Sequence, residues 1–516
     1  MVRIFRRRQA AGRVPPGPRG SALLGNLPAF RRSPLEFLTR CSQQYGDVVR
    51  YRVLHVTVYL LNRPEYIESV LTRSPTDFAK GRALRAARSL LGDGLLTSEG
   101  DSWRRQRQVV QPGFHRERLD AYAPDVVDCA ERAMDKWHSG ETRDIASDLA
   151  RLTLAIAARV TFGSDLDDEA DDLAAALGVF STEFRSQLNT GLLIPGNVPT
   201  PGNLRLRRAV RRLHGTILRM IAERRTCGRT GDDLASELIR AQGEVGSRIT
   251  DRGVRDNLMT LLVAGHETTA LALMWSWYLL SQNREAAARL HSEVAQVLGG
   301  RRPEAQDLPR LRYAESVIKE ALRLYPPVWT IPRVALIDCE IGGYPVPAGT
   351  SLAMSQWVMH RDPRYFDRPD EFVPERWTDG LSARLPRFAY FPFGGGPRVC
   401  LGASFALMEA ILLLAALAQR FDMTLAPGSS RGALAHAYAA CQARDEDGAE
   451  AALAPPAQRG ARRLPEPAPG DQPQSGSVIV RSDLGGLPAG LNLEVQPAGS
   501  RAASAGKGPQ RSSRRA

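Results

Sequence analysis

A glycine-rich segment with a single cysteine, at residues 393–402, carries the clearest chemistry in the chain. It reads FGGGPRVCLG and continues into an apolar stretch at 401–420 that predicts a helix. Cys400 would then lie at the positive end of the helix dipole, which favours the thiolate. This pattern predicts a metal-ligating thiolate or a nucleophile, or more simply a buried structural cysteine. No histidine in the segment could serve as the base that a nucleophile needs.

Polar residues interrupt a second apolar helix, at 258–280. Glu267, Thr268 and Thr269 follow the small residues Ala264 and Gly265. Polar groups in such a helix cost free energy unless they have partners. In one interpretation, the Thr268 hydroxyl donates to a carbonyl of the preceding turn and bends the helix. In the other, the small residues leave room for a ligand that Thr268 and Glu267 act on. The two interpretations are compatible, since the bend could form the pocket.

These segments, together with two others, resemble the signature of the cytochrome P-450 superfamily. Residues 320–323 (EALR) are similar to its ExxR helix, 374–377 (PERW) to the segment that pairs with that helix, and 264–269 to its oxygen-activating stretch. The resemblance covers roughly residues 15–427 and implies a mainly α fold with minor β. Heme would lie between the long central helix and the Cys-bearing loop and helix. The cysteine segment matches the heme-binding pattern at every fixed position: Phe393, Gly394, Gly396, Arg398, Cys400 and Gly402.

The resemblance also implies which residues hold the cofactor, heme b. Cys400 would be the axial thiolate ligand of the iron. Phe393 would pack on the thiolate side of the ring with Gly394 beside it, and Ala264 would leave room for O₂ on the opposite side. The heme propionates would be bound by Arg398, by Arg333, and by Trp103 and Arg107, which lie one helical turn apart.

Two catalytic roles and one structural group follow from the same resemblance. Thr268 would donate a hydrogen bond to bound oxygen, and Glu267 would relay protons from solvent. Glu320, Arg323 and Arg376 would form a buried triad that fixes the core on the heme side, without a catalytic role.

The implied activity is that of a bacterial-type monooxygenase acting on a lipophilic small molecule, a terpenoid, fatty acyl chain or polyketide. Apolar residues within 80–97, 180–200 and 264–268 would line the pocket. No flavin or nicotinamide domain is recognisable, so a ferredoxin-type donor and its reductase are the expected partners. Two alternatives remain: a non-oxygenating isomerase or dehydratase on the same fold, which the Glu267-Thr268 pair disfavours, and a heme-binding protein without turnover.

Composition limits the other possibilities. The chain has 516 residues and a formal net charge of +13, but residues 1–20 and 501–516 hold eleven of these charges and no acid. The body is therefore nearly neutral, which disfavours a nucleic-acid-binding surface. The six cysteines are scattered, no secretory apolar region follows the basic start, and no uninterrupted apolar stretch approaches ~18–20 residues. This predicts a cytoplasmic protein without a transmembrane anchor.

The pattern of elements divides the chain into three regions. Residues 1–14 are predicted as a basic disordered arm, 15–427 as the heme domain, and 428–516 as a largely disordered extension. A short hairpin within 478–495 is the one element expected in the extension. Hydrophobic periodicity predicts a hairpin in 47–62, short strands in 331–355 and helices at 116–137, 143–162, 205–226 and 251–282.

Overall fold

Helices make up most of the described chain. The computed structural model describes residues 3–4, 13–73, 75–163, 170–189, 198–227, 231, 233–243, 249–426 and 492–497. The α-helices there are α1 (Leu27–Arg32), α2 (Pro34–Tyr45), α3 (Pro64–Leu71), α4 (Arg82–Leu91), α5 (Gly100–Val110), α6 (Arg116–Met134), α7 (Ile145–Phe162), α8 (Ala170–Asn189), α9 (Pro201–Cys227), α10 (Leu234–Gly243), α11 (Asp251–Gln282), α12 (Arg284–Leu298), α13 (Arg312–Leu324), α14 (Gln356–Met359), α15 (Glu375–Thr378), α16 (Leu381–Arg384) and α17 (Ala403–Arg420).

The strands form three small sheets. They are β1 (Arg3–Ile4), β2 (Val48–Val53), β3 (Val56–Leu61), β4 (Phe78–Lys80), β5 (Thr142–Asp144), β6 (Ile331–Ala335), β7 (Cys339–Ile341), β8 (Tyr344–Val346), β9 (Ser351–Met354), β10 (Phe421–Leu425) and β11 (Asn492–Pro497). The sheet orders are β2-β3-β9-β6-β4, β10-β11-β5 and β1-β7-β8. The mainly α architecture with minor β is confirmed.

Helix α11 runs through the centre of the molecule without a break over 32 residues, or about 48 Å. The Thr250 hydroxyl caps it by accepting the Gly253 N–H. Its second half is buried nearly all round, in one core with α6, α7, α13 and α17, because its apolar residues cover every face. By length and composition α11 and α17 could each cross a membrane, but both are mostly buried in the fold and serve here as core helices.

A buried ion network joins α13 to α15, as the resemblance implied. Glu320 accepts bonds from Arg323 Nη2 at 2.8 Å and Nε at 2.9 Å, and from Arg376 Nε at 3.0 Å. Trp377 Nε1 donates to the same carboxylate at 2.9 Å. Because Glu320 and Arg323 are fully buried, loss of one partner would leave an uncompensated charge. The triad is therefore a structural anchor beneath the site.

Strands from the first and last parts of the sequence join the sheets of the main fold. Arg3–Ile4 pairs with Cys339–Glu340 as an edge strand. Residues 492–497 pair with β10 and β5, and the expected hairpin strand at 478–481 lies outside the described residues. Leu493 and Val495 are fully buried. Burial of these two side chains against the helical core explains why the strand returns to the main domain.

The buried C-terminal strand leads to a first testable expectation. Leu493→Ala should lower the free energy of unfolding by about 2–5 kcal/mol, because it removes a fully buried side chain between β10 and β5. Leu336→Ala is the matched control, since Leu336 is 47% exposed. Urea unfolding of both variants checks this, and equal small losses would contradict a structural role for β11.

Candidate cofactor and oxygen site

The Cys400 loop is shaped by glycines. Gly394 and Gly396 have φ of +73° and +69°, a region that favours glycine. A Cβ on Gly396 would lie 1.9 Å from the Leu71 carbonyl oxygen, so only glycine fits this close approach. Cys400 N–H donates to the Phe393 carbonyl at 2.9 Å, which closes the loop three residues before α17 begins.

The pKa of the Cys400 thiol is shifted in the direction opposite to the one that the helix dipole alone would give. The side chain is exposed, yet desolvation by the surrounding protein raises the pKa of the thiol. The Gly402 N–H and the charge of Arg107 act in the opposite direction. Burial thus outweighs the helix terminus, and the thiolate needs a further positive partner such as a metal ion to be the dominant form.

Two of the expected propionate residues lie together. Arg398 Nη1 donates to the Phe78 carbonyl at 2.7 Å, and Nη2 bonds to Glu99. The Arg398 guanidinium also lies over the Trp103 ring, 5.7 Å from its centroid. The Arg398 Nε is buried without a hydrogen-bond acceptor, which leaves it a donor for a bound anion.

Strand pairing adds two more cations to this group. Arg333 on β6 lies in register with Lys80 on β4, and both side chains are buried. Burial, reinforced by the charge of Arg398, lowers the pKa of Arg333 to about 10. Burial likewise lowers the pKa of Lys80 to about 7, although Glu99 opposes the shift. Burial is the main cause of both pKa shifts, and the charge of Glu99 opposes it at each cation.

The residues present fit heme. Lys80, Arg333 and Arg398 would balance two propionate carboxylates, and the orphaned Arg398 Nε supplies a donor. Arg107 Nη1 donates to the Val399 carbonyl at 2.8 Å, so it braces the Cys400 loop from the side of α5. Phe393 is partly buried against the main core. In the described part of the chain no three His, Cys, Asp or Glu side chains cluster as metal ligands.

On α11 the structure places Ala264, Glu267 and Thr268 as expected on one stretch, and gives each polar group a partner. Thr268 Oγ1 donates to the Ala264 carbonyl at 2.8 Å, so the simpler interpretation of this hydroxyl holds in this arrangement. Its lone pairs remain available to accept a hydrogen bond. Glu267 Oε2 accepts from Ser181 Oγ on α8 at 2.9 Å, and Ala264 is exposed.

A carboxyl group that the sequence analysis missed lies behind this stretch. Glu409 on α17 is buried and its carboxylate accepts a hydrogen bond from Thr269 Oγ1 at 3.1 Å. This bond links α17 to α11. Burial raises the pKa of Glu409 from 4.5 to about 8, against the effect of the Thr269 bond. It is the one acidic residue in 401–420, a signal that the sequence does contain.

Glu409 should make stability depend on pH. Because its folded-state pKa is raised, unfolding releases a proton between pH 4.5 and about 8. Its contribution to stability is therefore complete below pH 4.5 and declines as pH rises towards 8, by about 1.4 kcal/mol per pH unit. Glu409→Gln should flatten that decline in urea unfolding followed across this range. The control Glu117→Gln, at an exposed position on α6, should keep the wild-type slope, and an unchanged slope in Glu409→Gln would contradict the assignment.

The sequence analysis named most of the residues that lie together here, but it missed two of their hydrogen-bonding partners. Cys400, Arg398, Trp103, Arg107 and Arg333 converge. Lys80 and Glu99 were missed, although Lys80 is one of only four lysines among 69 basic residues. Of the pocket residues, Leu95 and Leu96 are half-buried beside the core, whereas 190–194 lie outside the described residues.

Comparison with known proteins is consistent with this geometry. A family model described as cytochrome P-450 matches residues 15–436. Cyclooctat-9-en-7-ol 5-monooxygenase from Streptomyces melanosporofaciens is 38% identical over 415 residues, 80% of this chain and 90% of that protein. Cyclooctatin synthase from the same organism is 38% identical over 417 residues with the same coverage. Pentalenene oxygenase from Streptomyces avermitilis is 32% identical over 413 residues, 80% of this chain and 91% of that protein.

Proposed function

Since the chain belongs to the cytochrome P-450 family and is a heme-iron monooxygenase, we propose that it inserts one oxygen atom into a polycyclic terpenoid. The observation that carries this is that Cys400 lies two residues after Arg398, whose charge acts on the neighbouring cations Arg333 and Lys80. The relatives named for cyclooctat-9-en-7-ol and for pentalenene support the substrate class.

The cofactor of this proposal is heme b. When bound, it supplies the oxygen activation and electron transfer that no side chain provides. Cys400 would be its axial ligand, and Arg398, Arg333 and Lys80 would bind its propionates, with Trp103 packed under Arg398. Arg107 would hold the Cys400 loop through the Val399 carbonyl. Phe393 and Gly394 would form the floor on the cysteine side.

Proton delivery is assigned to Glu267 and Thr268. Glu267 would take protons from solvent, using its bond to Ser181 to stay oriented. The Thr268 hydroxyl donates its proton to the Ala264 carbonyl, so at the site it would accept a hydrogen bond from a water at Oγ1 and hold that water for proton delivery, where the small side chain of Ala264 leaves space. Polar groups that are placed before reaction need no reorganisation during it.

An acidic ferredoxin, reduced by its own reductase, is the proposed electron donor. Arg104 and Arg105 are exposed on α5, the helix whose Arg107 contacts the residue before Cys400. Basic groups here would attract an acidic partner and shorten the electron path to the cofactor. The cytoplasm is the proposed location, supported by the burial of both long apolar helices.

Charge reversal tests this docking face. Arg104→Glu combined with Arg105→Glu should slow ferredoxin-driven reduction by about tenfold or more, because electrostatic steering raises association rates by 10–10³-fold. Reduction by dithionite should stay unchanged. Arg31→Glu with Arg32→Glu, exposed on α1, is the control pair. Equal slowing in both pairs would point away from α5.

The function itself is tested by turnover. Protein supplied with a surrogate ferredoxin, its reductase and NADPH should convert cyclooctat-9-en-7-ol or pentalenene to a product containing one atom of ¹⁸O from ¹⁸O₂. A fatty acid of similar size should be a poorer substrate. Rearrangement of a peroxide in the absence of O₂ would indicate the isomerase or dehydratase alternative. Protein that binds heme but forms no product from any of these substrates would indicate a heme-binding protein without turnover.

A further inference from the structure

The loop at 92–98 is attached to α11 by hydrogen bonds from its backbone N–H groups to side chains of that helix. Asp93 N–H donates to Asp256 Oδ2 at 2.7 Å, and Leu95 N–H donates to Asn257 Oδ1 at 2.9 Å. Asp256 and Asn257 are fully buried. Arg255 neutralises the Asp256 carboxylate through Nη2 at 2.6 Å, so the buried charge is paired. Both acceptors bind backbone N–H groups of the loop.

Two glycines allow the loop to lie directly on α11. A Cβ on Gly92 would be 2.2 Å from the Asp256 carboxylate, and one on Gly94 would be 2.3 Å from the Asp256 carbonyl oxygen and 2.4 Å from Thr260 Oγ1. Real Cβ atoms do not approach so closely. The short separation is what brings the loop amides within reach of the helix side chains.

Leu95 is held at both of its backbone polar atoms. Its N–H bonds to Asn257, and its carbonyl accepts from Lys80 Nζ at 2.8 Å. Lys80 Nζ also donates to the Ser98 carbonyl at 2.7 Å, and Thr97 Oγ1 closes the loop on the Gly92 carbonyl at 2.6 Å. The direction of the Leu95 side chain is therefore set by α11 and β4 rather than by the loop.

The position of this loop connects it with the reaction. Asp256 precedes Ala264 by eight residues, or about 12 Å along the helix, and Lys80 is in register with Arg333 in the propionate group. The loop thus spans from the oxygen helix to the cofactor cations. Leu95 and Leu96 are half-buried there and pack against the same apolar cluster as Leu261 and Val263 of α11.

We propose that Asp256 and Asn257 are positioning residues that hold the 92–98 loop as a fixed wall of the substrate site and so control entry to it. The identity of the substrate rests on the proposed function, but the attachment of the loop does not. Loss of one of these hydrogen bonds should favour loop opening about three- to tenfold, the range of a typical net hydrogen bond.

Two readouts that need no turnover test this. In Asp256→Ala, amide hydrogen exchange in a peptide spanning 92–99 should accelerate about three- to tenfold. The association rate of 4-phenylimidazole with the heme iron, followed by the Soret shift, should rise in parallel. Asp256→Asn, which keeps an oxygen acceptor for Asp93 N–H, should stay close to wild type in both.

Matched variants separate this from general destabilisation. Ser276→Ala removes a buried hydroxyl from the same helix, far along the chain from the loop contacts, and should change neither readout. If Asp256→Ala does not fold, Gly94→Ala is the alternative variant. Its added Cβ would push the loop away from α11, and it should accelerate hydrogen exchange in the loop to the same extent. Unchanged exchange in the variants, or faster exchange without faster azole entry, would overturn the proposal. Failure of terpenoid turnover alone would affect only the proposed function.

Discussion

Cys400→Ser is expected to abolish the red-shifted Soret band of the reduced carbon monoxide complex, and product formation with it. A serine hydroxyl cannot supply the electron density of a thiolate to the iron. The loop should survive the change, since its geometry depends on the positive φ of Gly394 and Gly396 and on the bond from Cys400 N–H to the Phe393 carbonyl. The measurement is the difference spectrum of purified protein with matched heme content.

A second cysteine provides the control for that experiment. Cys41 on α2 is buried in the core of the β2–β3 region, away from the Cys400 loop. Cys41→Ser should lower stability without altering the spectrum. A thiolate-type band that persists in Cys400→Ser would show that another group ligates the iron, and would remove the basis of the site.

The local part of the fold was predictable because its signals are local. The bounds of α11 match the predicted helix at 251–282, since a long apolar pattern and a Thr250 cap define it within one stretch of sequence. The ExxR pair was recognisable for the same reason, and its contact with Arg376 followed from the resemblance. The Cys400 loop, with its glycines, was the strongest of these signals.

Contacts between distant segments were not predictable in the same way. The sequence analysis predicted a short hairpin within 478–495, so the strand at 492–497 was expected to pair with a neighbouring segment. Its actual partners are β10 and β5. The pairing is determined by burial of Leu493 and Val495 in the main core. The free energy of that burial depends on distant residues, so a local sequence pattern does not reveal it. Asp93 and Asp256 likewise meet across 163 residues.

Some omissions had a signal that local reasoning passed over. Glu409 is a lone carboxyl in an apolar helix, the same pattern that drew attention to Glu267. Lys80 is a lysine in a chain dominated by arginine, and its Nζ reaches two carbonyls. In both cases a polar group stands where an apolar or common residue would be expected, so each needed a partner from elsewhere in the chain.

Thr268→Ala is expected to uncouple NADPH consumption from product formation. Thr268 Oγ1 lies on the stretch of α11 that we propose to face oxygen. Because its proton is donated to the Ala264 carbonyl, its lone pairs can accept a hydrogen bond from a water that delivers protons. Positioned proton transfer contributes roughly 10²–10⁴-fold in enzymes, so the ratio of product to NADPH should fall clearly while hydrogen peroxide rises. Substrate binding and the resting spectrum should be unchanged.

The alternative, that this hydroxyl only satisfies a helix carbonyl, makes a different prediction. Ser276 on the same helix makes the same bond, from its Oγ to the Ala272 carbonyl at 2.8 Å, so Ser276→Ala measures the effect of losing such a bond alone. Thr268→Ser keeps the hydroxyl and should restore coupling. If Thr268→Ala were as well coupled as Ser276→Ala, with O₂ as oxidant and no added peroxide, the hydroxyl would have no part in oxygen activation. Proton delivery would then have to depend on Glu267, whose carboxylate accepts a bond from Ser181.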